Sequence, residues 1–133
     1  MESRILVINA DGASRGNPGP AAIGATIKDE NGRLLATVSQ SIGRTTNNQA
    51  EYRALIAALE KAIGLGAREV DIRLDSELVI RQLQGRYRVK NTALRPLYLR
   101  VRELLARLEG FTLKHILREQ NAEADRLANA AFR

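Results

Sequence analysis

The chain has 133 residues, 44% of them hydrophobic, and its 21 basic and 15 acidic side chains give a net charge of +6. This length and apolar content predict one folded domain over residues 1–133 and argue against disorder. With no Cys and a single His, disulfides, iron–sulfur clusters and thiolate or multi-histidine metal sites are excluded. The longest early apolar run, residues 5–8, is too short for a signal peptide or a membrane span, so a soluble protein of the cytoplasm is expected.

The first part of the sequence predicts three antiparallel strands. The run Ile5-Leu6-Val7-Ile8 is apolar throughout, which is typical of a strand buried on both faces. A turn signal follows at residues 9–12, and the Gly- and Pro-rich residues 12–20 predict a loop. Further strands are predicted over residues 21–28 and 33–42, joined by a hairpin turn at residues 29–32.

The hydrophobic period then changes to that of a helix. Apolar residues at helical spacing predict a helix over residues 47–63, capped by Thr46 or Asn47. The remaining predicted elements are a strand over residues 70–74, helices over residues 76–84 and 93–108, a strand over residues 111–117 and a closing helix over residues 121–132. The order βββαβααβα predicts an α/β fold, a five-stranded mixed sheet flanked by helices, in which the first three strands are antiparallel.

The positive charge is concentrated in one stretch, residues 81–102, which carries seven basic side chains and no acidic one. A local field of this kind suits a polyanion such as nucleic acid, although a solvated basic helix is the simpler alternative. The seven residues are Arg81, Arg86, Arg88, Lys90, Arg95, Arg100 and Arg102.

Four carboxylates occupy positions that are unusual for surface residues. Asp11 and Asp75 follow predicted strands, where the ligand sites of mixed sheets gather. Glu51 lies on the apolar stripe of its predicted helix, and Asp125 lies on that of the last helix. Taken singly, each has another explanation: a turn residue at Asp11, a helix cap at Asp75, a favourable helix start at Glu51 and a surface residue at Asp125.

If these four side chains converge, their negative charges repel, and a hard divalent cation relieves the repulsion. Oxygen ligands without thiolates favour magnesium or manganese over zinc. Because magnesium shares its ligands between carboxylates and substrate phosphates, such a site beside a basic stretch suggests phosphodiester chemistry.

Several short motifs lie along the chain at characteristic distances from one another. They are Asp11-Gly12 with Gly16-Asn17-Pro18-Gly19-Pro20, Thr45-Thr46-Asn47-Asn48-Gln49-Ala50-Glu51, Asp75-Ser76, Val89-Lys90-Asn91, and His115 with Asp125-Arg126-Leu127-Ala128. Their order and spacing resemble the ribonuclease H type 1 family along nearly the whole chain. The fold of that family, a five-stranded mixed sheet with helices, agrees with the predicted elements.

The resemblance implies an endoribonuclease that hydrolyses the RNA strand of RNA–DNA hybrids with little dependence on sequence, leaving 5′-phosphate and 3′-hydroxyl ends. It implies that Asp11, Glu51, Asp75 and Asp125 are catalytic and bind two Mg²⁺ ions, with Mn²⁺ as a substitute. It further implies an RNA–DNA hybrid as the partner, with no membrane attachment, no obligatory protein partner and a monomeric state.

The same resemblance assigns substrate contacts and a catalytic histidine. His115 matches the catalytic histidine of the family by its distance from Asp125, although no Gly-containing loop follows it, and Arg118 is an alternative for its electrostatic role. Phosphate and 2′-hydroxyl contacts are largely independent of base sequence. The implied substrate residues are Gly12, Ser14, Arg15, Asn17, Arg44, Thr46, Asn47, Asn48, Gln49 and Asn91.

The chain departs from many members between Asp75 and Asn91, where it lacks an additional basic helix and a protruding loop. Arg86, Arg88 and Lys90 are candidates to replace that substrate grip. Two alternative functions stay open at this point: a module that binds nucleic acid or protein without catalysis, and a transposase, integrase or resolvase core on the same fold.

Overall fold

The computed structural model describes residues 4–132, and its elements follow the predicted order. This part of the chain has five strands, β1 (Ile5–Ser14), β2 (Gly19–Lys28), β3 (Leu34–Thr45), β4 (Glu69–Leu74) and β5 (Gly110–His115). Its helices are α1 (Asn47–Gly64), α2 (Glu77–Leu83), α3 (Arg95–Ala106) and α4 (Ala122–Ala130), and a 3₁₀ turn, Arg118–Asn121, precedes α4. Residues 1–3 and 133, which the sequence assigns to the same domain, lie outside the described residues.

The strands form one mixed sheet in the order β3-β2-β1-β4-β5. β2 is antiparallel to β1 and β3, whereas β4 is parallel to β1 and β5. The predicted α/β class and the antiparallel start of the sheet are therefore confirmed. β2 lies on one side of central β1, and β4 lies on the other side. At such a change of direction in the strand order, a crevice opens at the ends of the two strands β1 and β4.

The first strand is longer than the sequence predicts. β1 continues to Ser14, so the turn predicted at residues 9–12 is wrong and the predicted loop shortens to residues 15–18. Pairing with β2 extends to Ser14 opposite Ala21, and this pairing overrides the local turn tendency. Gly12 serves helix packing here, since a Cβ atom on it would lie 2.1 Å from the carbonyl carbon of Ala50 in α1.

Other boundaries differ by a few residues. β3 extends to Thr45, β5 ends at His115, and α4 begins after the 3₁₀ turn instead of at residue 121. Thr46 caps α1 by accepting a hydrogen bond from Gln49 N, and Ser76, not Asp75, caps α2. The alternative explanation of Asp75 as a helix cap is therefore wrong.

Helices cover both faces of the sheet. Leu6, Ile8 and Ala10 of β1 are fully buried on the face that packs against α1, as the two-residue period of a strand requires. α4 packs against β1, β2 and β3 on the other face. Asp11 and Gly24 are cross-strand partners, so both belong to the α4 face.

Gly24 fixes how closely α4 approaches the sheet. A Cβ atom at this position would lie 2.3 Å from the carbonyl oxygen of Ala124 and 2.4 Å from the amide nitrogen of Ala128. Both atoms belong to the backbone, so no side-chain rotation relieves the overlap. The distance between β2 and α4 therefore depends on a residue without a side chain.

We expect Gly24→Ala to lower the free energy of unfolding by about 2–3 kcal/mol, because the added methyl group forces α4 away from β2. Gly64→Ala is the matched control: a Cβ atom there has no neighbour within 4 Å. This control is expected to stay within about 1 kcal/mol of the wild type. Urea unfolding of the three proteins measures both values, and a Gly24→Ala protein as stable as the wild type would contradict the contact.

Candidate active site

Strand register brings Asp11 and Asp75 together. Parallel pairing of β1 with β4 ends at Ala10 opposite Leu74, and the next residue of each strand is an aspartate. Asp11 is 8% exposed and lies in continuing β1, whereas half-buried Asp75 follows the end of β4. Asp11 is thus a strand residue and not the turn residue that was its alternative explanation.

The start of α1 supplies the third carboxylate. Glu51 is 7% exposed and accepts a hydrogen bond from the backbone nitrogen of Gly12. This contact is available because α1 lies against the bare backbone of β1 at Gly12. The predicted position of Glu51 on the buried stripe of its helix is confirmed.

The three carboxylates form a cluster that could hold a metal ion. One oxygen from each of Asp11, Glu51 and Asp75 lies within 4.8 Å of the other two. Asp125, on α4, lines the same cavity of about 320 Å³ but is not a member of this close group. Its Oδ1 atom lies 3.9 Å from an Arg118 guanidinium nitrogen.

Burial and mutual repulsion make these carboxylates hard to ionise. Burial, followed by the negative charge of Asp75, raises the pKa of Asp11 from 3.8 to about 7. Burial and the charge of Asp11 likewise raise the pKa of Glu51. The pKa of Asp75 is raised chiefly by burial, while Arg118 and a hydrogen bond from Asn121 oppose that increase. The donor set is entirely oxygen, which fits a hard divalent cation such as Mg²⁺ or Mn²⁺.

Two residues of the site were not among the predicted site residues, although Ser76 belongs to the motif Asp75-Ser76. Asn121 is 1% exposed, forms two hydrogen bonds to β1 and opposes the rise in the pKa of Asp75. Ser76 caps α2 and lines the acidic cavity. The available signal for Asn121 was its position just before the amphipathic helix that carries Asp125. An Asn at that position is also typical of an ordinary helix cap.

The predicted substrate residues fall into separate groups. Gly12 and Asn47 line the acidic cavity, and the Asn17 Oδ1 atom accepts a 3.0 Å hydrogen bond from Asn47 N, which joins the loop after β1 to the start of α1. Thr46 and Gln49 cap and stabilise that start. Further members lie nearby in sequence and are exposed or half-buried, namely Ser14, Arg44 and Asn48.

Two substrate candidates do not line the acidic cavity and have contacts elsewhere. The Arg15 guanidinium lies 4.1 Å from the centre of the Phe132 ring and borders a different cavity along α4. The Asn91 carboxamide oxygen accepts hydrogen bonds from the backbone nitrogens of Ala93 and Leu94 before α3. Their roles in binding stay predictions.

His115 and Arg118 differ in their relation to the cavity. Arg118 lines it, whereas exposed His115 ends β5 in the register position beside Leu74 and is not among the lining residues. Leu74 is buried and shares the α1 face with Ile72. Of these two residues, Arg118 is therefore the one that borders the acids.

The basic stretch divides into two classes. Arg81 pairs with Glu77, Arg100 pairs with Glu60 and Glu103, and Arg102 donates to the Leu83 carbonyl. The other four members form no ion pair with an acidic residue of the 4–132 range and are exposed, and we call them the basic cluster: Arg86, Arg88, Lys90 and Arg95. Within that same range, no helix is long and apolar enough to cross a lipid bilayer.

Comparison with known proteins shows which class of protein has this fold and this acidic site. A family model described as "Reverse transcriptase-like" matches residues 9–131. The crystal structure of RNase H1 from Halobacterium salinarum superposes with a TM-score of 0.94 and 45% identity, covering 96% of this chain and 97% of that one. The fold and the acidic crevice thus define a protein with a ribonuclease-H-like nuclease fold.

Two further solved structures are similar. The amino-terminal ribonuclease H domain of a Mycobacterium tuberculosis protein has a TM-score of 0.94 and 45% identity, covering 97% of this chain and 99% of that one. LC11-RNase H1, solved in complex with an RNA/DNA hybrid, has a TM-score of 0.90 and 46% identity over 95% of each chain. The chain belongs to the ribonuclease H type 1 family, in a form with a short connection between α2 and α3.

The full-length relatives are longer than this chain. Ribonuclease HI of Halobacterium salinarum is 48% identical over 92% of this chain, which spans 61% of that protein. The bifunctional protein of Mycobacterium tuberculosis is 46% identical over 96% of this chain, which spans 35% of it. The chain therefore spans about a third to three fifths of the length of these relatives.

In metal-free protein, Asp11 links stability to pH. The unfolded chain releases the Asp11 proton near pH 3.8 and the folded chain near pH 7, so the free energy of unfolding falls as pH rises between these values. Asp11→Asn removes this loss. We expect the variant to exceed the wild type by about 1–4 kcal/mol at pH 8 and to match it near pH 4. Urea unfolding in EDTA tests this, and an equal difference at both pH values would argue against it.

Proposed function

We propose that this chain is an endoribonuclease that hydrolyses the RNA strand of RNA–DNA hybrids, leaving 5′-phosphate and 3′-hydroxyl ends. The observation that carries the proposal is the cluster of Asp11, Glu51 and Asp75 in one cavity. The likeness to LC11-RNase H1, whose structure contains an RNA/DNA hybrid, supports the choice of substrate.

The oxygen-only cluster supports magnesium as the cofactor, with Asp11, Glu51, Asp75 and Asp125 as the residues that would hold two ions. When bound, magnesium lowers the pKa of an attacking water and stabilises the charge of the leaving 3′-oxygen. Manganese has similar ligand preferences and is proposed as a substitute.

The residues of the chain then have distinct tasks. Asp11 and Asp75 directly follow the last residues that pair between β1 and β4, Ala10 and Leu74, so their carboxylates are brought together before any ligand arrives. Gly12 N fixes one oxygen of Glu51. Asn47 lines the cavity and is bonded to Asn17, and these two residues and exposed Asn48 can donate to phosphate oxygens or 2′-hydroxyls. Such contacts carry no base sequence, so cleavage is proposed to depend little on sequence.

The basic cluster is proposed to bind the phosphate backbone. Its four side chains are exposed and free of acidic partners among residues 4–132, so they can exchange counterions for phosphates. They take the place of the protruding basic loop that the short connection between α2 and α3 does not provide.

All residues of the acidic cluster come from one chain and pack around one core. This supports a single domain over residues 1–133 and a site that is complete in a monomer without an obligatory protein partner.

Cleavage of a labelled RNA–DNA hybrid with and without Mg²⁺ tests the proposal. We expect cleavage of the RNA strand only when Mg²⁺ is present, and no comparable cleavage of DNA–DNA or RNA–RNA duplexes. Asp75→Asn removes one proposed ligand and should lower turnover by about 10³-fold or more.

The control for Asp75→Asn is its thermal unfolding without metal. The variant should be at least as stable as the wild type, because one source of carboxylate repulsion is gone. Hybrid binding without cleavage by the wild type would leave only a binding module. Preferential cleavage of DNA duplexes would favour a transposase- or integrase-like core.

Replacing all four residues of the basic cluster with Gln should weaken hybrid binding and reduce the dependence of binding on salt, because up to four phosphate contacts are lost. A matched variant removes four charges at the other end of the sheet: Arg4, Arg33, Lys61 and Arg107. Binding titrations at several salt concentrations compare the two variants. Equal salt slopes for both variants would show that the basic cluster is not the binding surface.

The same cleavage assay compares Arg118→Ala with His115→Ala. Because Arg118 lines the acidic cavity, its loss should lower kcat more than the loss of His115 does. A larger effect of His115→Ala would restore the histidine as the proposed catalytic group.

A further inference from the structure

Asn121 is a buried polar residue at the junction between the 3₁₀ turn and α4. Its side chain is 1% exposed, and it forms no capping bond to the helix that follows. Instead, its Nδ2 atom donates to the Ala10 carbonyl oxygen at 2.9 Å, and its Oδ1 atom accepts from Asn9 Nδ2 at 3.1 Å. The ordinary reason for an Asn before a helix therefore does not apply.

The partners of Asn121 are the two residues directly before Asp11 in β1. Asp125 lies one helical turn after Asn121, so the amide joins the helix of Asp125 to the strand of Asp11. The amide also lies close enough to Asp75 to oppose the rise in the pKa of that carboxyl. This side chain thus ties the start of α4 to β1 beside Asp11 and lies close to Asp75.

We propose that Asn121 is a positioning residue that fixes Asp75 and Asp125 relative to Asp11, so that their oxygens are arranged for a divalent cation. The inference rests on the proposed function, and it concerns a residue that contacts neither the substrate nor the ion. An amide suits this role because its Nδ2 atom donates to Ala10 and keeps a second donor hydrogen for the nearby Asp75 carboxylate, while its oxygen accepts from Asn9.

Partners of this kind orient the residues that bind a metal, and their loss typically lowers affinity or activity by about 10–100-fold. Other side chains satisfy the contacts with Asn9 and Ala10 less well. Aspartate has no donor hydrogens at neutral pH, and alanine leaves the Asn9 amide and the Ala10 carbonyl without their partner.

The experiment compares Asn121→Ala with the matched control Asn129→Ala, an exposed Asn on the same helix. Mn²⁺ binding to hybrid-free protein, followed by electron paramagnetic resonance, gives a readout that does not require turnover. Hybrid cleavage gives kcat and KM separately. We expect Asn121→Ala to bind Mn²⁺ about 10-fold more weakly and to lose about 10-fold or more in kcat, with KM changed by less than about 3-fold.

A folded Asn121→Ala protein with wild-type Mn²⁺ affinity and kcat would overturn the inference, whatever its thermal stability. If Asn121→Ala does not fold, Asn121→Ser keeps one short donor and should give intermediate values; wild-type values for that variant would overturn it equally. Failure of the proposed function would look different. The wild type would then bind Mn²⁺ but cut no hybrid, and Asn121→Ala would still weaken Mn²⁺ binding. That result would remove the proposed substrate and keep the positioning role.

Discussion

Repulsion among buried carboxylates is the constraint on which this structure depends. Oxygens of Asp11, Glu51 and Asp75 lie within 4.8 Å of one another where little water reaches Asp11 and Glu51. Without a cation, the folded chain holds protons that the unfolded chain would release, and this lowers its stability at neutral pH. The fold tolerates the cost because its core is continuous on the α1 face of the sheet. Sites arranged for function commonly carry such a local cost.

The frame that holds these charges consists largely of backbone contacts. Parallel register sets Asp11 beside Asp75, and α1 touches β1 at Gly12, where it delivers Glu51. α4 touches β2 at Gly24, which brings Asp125 to the same end of the sheet. At both contacts the missing side chain determines the distance between helix and strand. Side-chain packing adds to this frame, but the backbone contacts at Gly12 and Gly24 already set the distances between the helices and the strands.

Much of this could be predicted from the sequence, because hydrophobic period reports which face of an element is buried. The element order, the buried stripe of Glu51 and the aspartate after β4 follow from such patterns. The turn at residues 9–12 was wrong because pairing with β2 outweighed local turn chemistry. Asn121 was missed because its partners lie far away in sequence, and the seven basic residues divide into paired and unpaired groups only through contacts between helices.

The carboxylates of the site come from β1, α1, the residue after β4, and α4, so they are spread over more than a hundred residues of sequence, from 11 to 125. In an unfolded molecule these groups are far apart and ionise normally, so their conflict arises only as the fold brings Asp11, Glu51 and Asp75 together. A cation that binds only to the folded arrangement therefore lowers the unfolding rate more than it raises the folding rate. Ion supply would then govern the lifetime of the folded molecule as well as its chemistry.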